Sequence, residues 1–182
     1  MTRRPLFALL ALGALLVAAV AHASPSFGVH DIATLFFIAK SDDHNRVDYG
    51  IHLDAQCRPV GRDPVFAYWR RFEPRQEPLG DLNLLDQTIY SVAHQEVRDD
   101  PADGSWIDLT LRALPSRPVQ VHVRHVAARC VGAALTSIRG EEAILDHVFV
   151  QLGRAPGQID HVLIRGEDRE SGHPVSERVT QR

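Results

Sequence analysis

The feature that most constrains the fold is an apolar alternation with a period of two, repeated at short intervals between turn residues. Val47, Tyr49, Ile51 and Leu53 alternate with Asp48, Gly50, His52 and Asp54. Ile107, Leu109 and Leu111 repeat the pattern, as do Val119, Val121 and Val123. Side chains of a strand point alternately to its two faces, so each segment reads as a strand with one dry and one wet face. Further strands are expected over 34–39, where TLFFIA is continuously apolar, over 65–72, more weakly over 91–98, and over 131–138, 144–152 and 159–165. A terminal hairpin is expected around Ser171-Gly172, and DDHN at 42–45 supplies a turn. In VFAYWRRF, Phe66, Tyr68 and Phe72 fall on one side, and Val65, Ala67 and Trp69 on the other.

One stretch departs from this period. In LGDLNLLDQTIYSV, Leu82, Leu85, Ile89 and Val92 recur at helical spacing with Asp81 in the N-cap position. That predicts a helix of about three turns packed through the stripe. The expected architecture is all-β, mainly an antiparallel meander with one short α-helix. A calycin-like barrel is the first choice, because pairing neighbours in order leaves no exposed edge. A β-sandwich is the alternative.

The N-terminus places Arg3 and Arg4 before an apolar run from Leu6 to Val20, followed by Ala21-His22-Ala23. Residues 1–23 therefore read as a secretory signal peptide, and 24–182 as a single domain in the periplasm or outside the cell. The run is shorter than the ~20 apolar residues of a spanning helix, so no transmembrane anchor is expected after processing. Removal of Arg3 and Arg4 takes the formal charge from -3 to -5. A nucleic-acid partner, which needs a cationic face, is not expected. In an oxidising compartment, Cys57 and Cys130 are expected to form a disulfide, with two separate buried thiols as the alternative.

Several residues resemble an uncharacterised, mostly bacterial family known as domain-of-unknown-function family 4833. They are Asn45-x-Val47-x-Tyr49, Pro64-Val65-x-x-Tyr68-Trp69, Tyr90-x-Val92, Gly166-x-Asp168 and Ser171-Gly172-x-x-Val175-x-Glu177. The resemblance covers nearly all of the mature chain and implies a single, frequently exported domain. It brings no established activity.

The concentrated aromatic and basic set around 66–72 suggests a ligand site. Tyr49, Phe66, Tyr68 and Trp69 are the candidates to line a barrel cavity, with Arg70 near its mouth. Filling of the core by the same aromatics is the bland alternative. Asp-His-Val occurs twice, at 146–148 and 160–162. With a turn centred near Ala155, His147 and His161 become diagonal neighbours on one face and their Asp partners point away. The two are candidate metal ligands, with His52, His122 or His125 to complete a shell. Imidazoles on a half-exposed strand face are the stronger reading, since the hairpin alone supplies two ligands of the three or four a zinc site needs. The Asp42 to His44 turn offers a further acid and base cluster. No G-x-S-x-G, H-E-x-x-H, phosphate-binding glycine loop or C-x-x-C occurs.

The residues thus predict a non-catalytic domain that binds a small, partly apolar ligand, with no cofactor. An envelope-associated interaction domain with a filled core, whose partner is an envelope protein, is the second reading. A hydrolase built on Asp and His is the third.

Overall fold

The computed structural model describes residues 33–155 and 158–180, so the predicted signal peptide lies outside the described residues. Eleven strands and one helix follow in the order β1 (Ala33–Lys40), β2 (Arg46–Ile51), β3 (Val65–Arg70), β4 (Leu79–Asp81), α1 (Leu84–Tyr90), β5 (Val92–Asp100), β6 (Gly104–Leu111), β7 (Leu114–Val126), β8 (Arg129–Ile138), β9 (Glu141–Leu152), β10 (Ile159–Asp168) and β11 (Pro174–Val179). The chain is all-β with one short helix, as the alternation predicts.

The sheet runs β4-β3-β2-β1-β9-β8-β7-β6-β5, with β10 added to β9 and β11 to β10. Every ladder is antiparallel except β1 against β9. Strand β9 is the hinge of the architecture. Its first residues, Glu141 to Ile144, pair with β8, and His147 to Val150 pair with β1. Thus two half-sheets share one strand, and their inner faces meet.

Phe36, Ile38, Val47, Tyr49 and Ile51 come from one half; Ile107, Leu109, Leu111, Val119, Val121 and Val123 come from the other. All are buried, and together they form one packed core. Phe36 and Tyr49 stack inside it with ring centroids 4.4 Å apart. The alternation of the sequence is therefore the imprint of this single interior.

The sheet does not close. At the seam, β3 and β5 are bridged by a side chain: Val65 N–H donates to Gln95 Oε1 at 3.0 Å, and Gln95 Nε2 donates to Val65 C=O at 3.1 Å. The carboxamide of Gln95 takes the place of a peptide group and satisfies an edge that would otherwise be unpaired. The result lies between a barrel and a sandwich.

Helix α1 is shorter than its sequence period suggests. Asn83 is the N-cap and accepts from Asp86 N–H at 2.9 Å, whereas Asp81 ends β4. Leu85 and Ile89 do not pack inward: Leu84 and Leu85 are 83% and 69% exposed. The helix is held instead by polar ties from the core, where Trp69 Nε1 donates to Asp86 at 2.9 Å and Tyr49 OH donates to the Tyr90 carbonyl at 2.7 Å. Burial pushes the Tyr49 hydroxyl well above its ordinary pKa, so it stays a donor.

Cys57 and Cys130 form a disulfide, with Cα atoms 5.2 Å apart across a sequence separation of 73. Cys57 sits at φ 63 in the loop between β2 and β3. Asp54 shapes that loop by accepting from the N–H groups of Gln56 and Arg58, each at 2.9 Å. The backbone N–H of Arg58 is the main reason its carboxyl lies below the usual range.

Several residues of the family pattern act on the C-terminal hairpin. Asp168 accepts from Ser171 N–H and Oγ, and Gly172 takes φ 68 to complete the turn between β10 and β11. Gly166 permits a close crossing, since a Cβ there would lie 2.2 Å from the Ile144 carbonyl oxygen. Glu177 clamps β11 to the second half-sheet. It accepts from Arg139 N–H at 2.9 Å and from both terminal nitrogens of Arg117, at 3.1 and 2.9 Å.

These donors, Arg139 first, hold the Glu177 carboxyl below its ordinary 4.5. A depressed folded pKa stabilises the fold fully above the unfolded value, and the contribution is lost as pH falls below it. Glu177→Gln is expected to cost about 1 kcal/mol at pH 7, and to leave stability less dependent on pH below about 5. Urea unfolding at pH 7 and pH 3.5 checks this. An equal loss at both pH values would contradict it.

Candidate functional site

The outer face of the first half-sheet carries the most concentrated set of polar and aromatic groups. In β3, Val65, Ala67 and Trp69 pair with Ile51, Tyr49 and Val47 of β2 and share their inward parity, whereas Phe66, Tyr68 and Arg70 point out beside Gly50, Asp48 and Arg46. Next to them β1 presents Phe37, opposite Asp48 on one side and His147 of β9 on the other.

At the centre of this face is a charged residue with no exposure, Asp48. Arg46 Nε donates to its Oδ1 at 2.7 Å, and Arg70 Nε donates to its Oδ2. The hydrogen bond from Arg70 to Asp48 is the main cause of a raised Arg70 pKa. Arg70 Nη2 also reaches Tyr68 OH at 3.3 Å, and that hydroxyl lies 3.1 Å from Thr34 Oγ1. Burial of a carboxylate is costly unless its lone pairs are filled, and here two guanidiniums fill them.

The guanidinium of Arg46 lies over the Phe37 ring at 4.0 Å and 5.6 Å from the Phe72 centroid. From the other flank of β1, His147 stacks on Phe37 at 5.0 Å with an interplanar angle of 7°. Phe37 therefore stands between a guanidinium and an imidazole. Nearby, His52 stacks on Phe66 at 4.1 Å, and burial pushes the His52 pKa below its ordinary value.

The five candidate ligand residues thus divide. Phe66, Tyr68 and Arg70 share the outer face. Trp69 anchors α1 and meets Tyr90 edge-on at 6.3 Å. Tyr49 is enclosed in the packed core with Trp69 packed against it, and Phe66 lines a groove at the seam with Val65, Leu82 and Gln95. Arg46, Asp48 and Phe37 complete the outer group and were not among the sequence candidates. Their signal was present in the alternation: the polar phase of β2 reads Arg46, Asp48, opposite a strand that offers Arg70.

The doubled Asp-His-Val has a different explanation from the one its spacing suggests. His147 pairs with Arg165 and His161 with Gln151, so the imidazoles are four ladder positions apart, roughly 13 Å along the strand. They share a face, but they are not diagonal neighbours. The register shifts once at each motif, which makes Asp146 an extra residue in β9 and Asp160 an extra residue in β10. Each Asp-His pair is a β-bulge.

A bulge turns two consecutive side chains toward the same side. That places His147 Nδ1 2.8 Å from Asp146 Oδ2 and His161 Nδ1 2.7 Å from Asp160 Oδ2. The Asp146 carboxylate accepts from Nδ1 of His147, whereas at His161 the same nitrogen also lies 3.1 Å from Arg178 Nη2, a group that only donates. The Asp partners point toward their His neighbours, correcting the expectation that they point away. Because the bulge at Asp146 resets the alternation, Val148 rather than His147 enters the core.

No group of three or more His, Cys, Asp or Glu able to hold a metal is present among the described residues. His122 is engaged elsewhere, stacked on Trp106 at 4.0 Å with Nε2 2.8 Å from the Asp103 carbonyl. In the turn at 42–45, Lys40 lies 4.0 Å from both Asp42 and Asp43, Asp43 accepts from Asn45 N–H, and Asn45 accepts from Phe72 N–H at 3.1 Å. Among the described residues, the groove of about 440 Å³ against β6, β7 and β8 and those beside Arg169, Pro101 and Gln95 are lined by none of Asp42, His44, His147 and His161.

Residues 36–178 match the family described as a domain of unknown function, DUF4833. No curated protein and no solved structure matches the chain.

Proposed function

The chain belongs to the family of domains of unknown function DUF4833, and we propose from its own side chains that it is an exported, non-catalytic domain that binds a small, partly apolar ligand. The ligand lies on the outer face of β1, β2 and β3, not in the interior. The observation that carries this reading is the cluster of Phe37, Tyr68, Arg70, Arg46 and Phe72 around a fully buried Asp48. A buried carboxylate stabilises a fold no better than an apolar side chain of similar volume, whereas a recognition surface gains from charged groups fixed in advance. A disulfide supports export to an oxidising compartment.

Thermal unfolding of the mature domain against a metabolite and lipid panel tests the reading. A ligand that raises the midpoint of the parent, and fails to do so for Arg70→Gln and Phe72→Ser, is the expected outcome. A stabilising ligand that acts equally on both variants would place binding elsewhere. Intact mass of the protein recovered from its own compartment tests export, with Ser24 as the expected first residue.

Exposed Leu84, Leu85 and Ile89 on α1 favour a second reading, an envelope-associated interaction domain. In that case Leu84→Ser with Leu85→Ser releases the partner from the assembly seen by native mass spectrometry of the envelope-extracted protein. Unchanged assembly would remove it.

A further inference from the structure

We propose that the outer face is an oxyanion receptor, in which Arg46 and Arg70 grip a carboxylate or phosphate whose attached apolar group rests against Phe72. This rests on the binding role assigned to that face and adds the chemical class of the ligand.

Charge balance comes first. One carboxylate, Asp48, faces two guanidiniums, so the cluster carries one positive charge more than it needs to be neutral. The surplus stands out in a chain whose formal net charge is -3. Asp42 and Asp43 face Lys40, and Asp81 of β4 lies opposite Tyr68 on the same face; among the described residues none of the three pairs with Arg46 or Arg70. A single arginine would have sufficed to compensate Asp48.

Geometry points the same way. Both arginines are tethered to Asp48 through Nε. Only Nη2 of each has a further contact, a long 3.5 Å approach of Arg46 to Asp48 and the 3.3 Å contact of Arg70 with Tyr68. Neither Nη1 makes a hydrogen bond among the described residues. Arg46 and Arg70 are directly opposite in the ladder, and both side chains converge on the one carboxylate of Asp48. Their side chains are 28% and 30% exposed, enough to meet a ligand.

Preorganisation makes this pair suited to binding rather than to general surface charge. An arginine normally gives up rotamer freedom when it grips an anion, and here Asp48 and the Phe37 ring have already restricted it. Stacking of Arg46 on Phe37 occupies the guanidinium face and leaves its in-plane donors for a planar or tetrahedral oxyanion. Phe72, 57% exposed and beside the Arg46 guanidinium, offers an apolar surface at the rim.

The test is a titration of the ¹⁵N-labelled mature domain with phenyl phosphate, benzoate and neutral benzyl alcohol, read on the arginine Nε–H and Phe72 amide resonances. Phenyl phosphate and benzoate are expected to shift Arg46, Arg70 and Phe72 together, with affinity falling as salt rises. Arg46→Gln or Arg70→Gln, with the amide spectrum otherwise retained, is expected to weaken binding about ten-fold or more, as loss of a charge-assisted hydrogen bond does. The salt dependence, measured on the unmodified protein, decides the matter if either variant fails to fold. Benzyl alcohol binding as tightly as phenyl phosphate at these resonances would overturn the oxyanion inference and leave the binding face standing. Shifts confined to other residues, or none with any probe, would overturn the inference; shifts elsewhere would also overturn the binding face.

Discussion

Loss of the Cys57 to Cys130 bond is expected to destabilise the folded domain by about 4 kcal/mol, lowering the thermal midpoint by roughly 10 °C. The bond closes a loop spanning a separation of 73 residues, and its removal releases that restraint in the unfolded chain. In the folded state it ties the loop after β2 to the start of β8, joining two halves that otherwise meet through β9, the core and the Gln95 seam. Scanning calorimetry with and without reductant, alongside Cys57→Ala with Cys130→Ala, measures the effect. Coincident midpoints would show that native contacts already supply the restraint. Because Asp54 organises Cys57's loop independently, the reduced protein is expected to keep its sheet.

The second large effect concerns Asp48. Replacing Arg46 and Arg70 together by Ala is expected to cost about 3 to 5 kcal/mol, because it leaves a fully buried carboxylate without its partners. Either single replacement should cost less, since one guanidinium remains to neutralise the charge. Adding Asp48→Leu to the double variant removes the stranded charge and is expected to recover much of the loss. Urea unfolding of the parent and the four variants provides the comparison. A double variant as stable as the parent would mean that Asp48 is hydrated or protonated without its arginines, and that the cluster has no structural role. Recovery in the triple variant, joined to lost ligand binding, would separate the recognition role of the arginines from their role in folding.

Much of the fold was legible because alternation reports burial directly. Val47, Tyr49 and Ile51 point inward as their spacing predicts, and the two sides of 65–69 fall on the two faces of β3. The pairing of Cys57 with Cys130 follows from there being only two cysteines. The helix is less legible. A stripe of Leu82, Leu85, Ile89 and Val92 reads as a packing face, yet Leu85 and Ile89 remain exposed, because hydrogen bonds from Trp69 and Tyr49 set how α1 is held.

The doubled Asp-His-Val shows where a period of two stops being informative. One additional residue in a strand reverses the facing of every later side chain, and no local pattern announces it. Bulges at Asp146 and Asp160 therefore bring each Asp to its own His and carry the two imidazoles apart. The candidate site was half legible for a related reason. Phe66, Tyr68 and Arg70 stand out by composition, but Arg46 and Asp48 look like ordinary wet-face residues until β3 is laid beside β2.

By itself the sequence determined which residues seek the interior, where the chain turns, and which cysteines can pair, since these depend on hydrophobicity and local backbone preference. Only the tertiary structure decided that β9 serves both half-sheets, that Gln95 bridges the open seam, and that a buried carboxylate holds two arginines at the surface. Those outcomes depend on contacts between segments distant in the chain. Their energies arise only when long-range pairing brings the segments together.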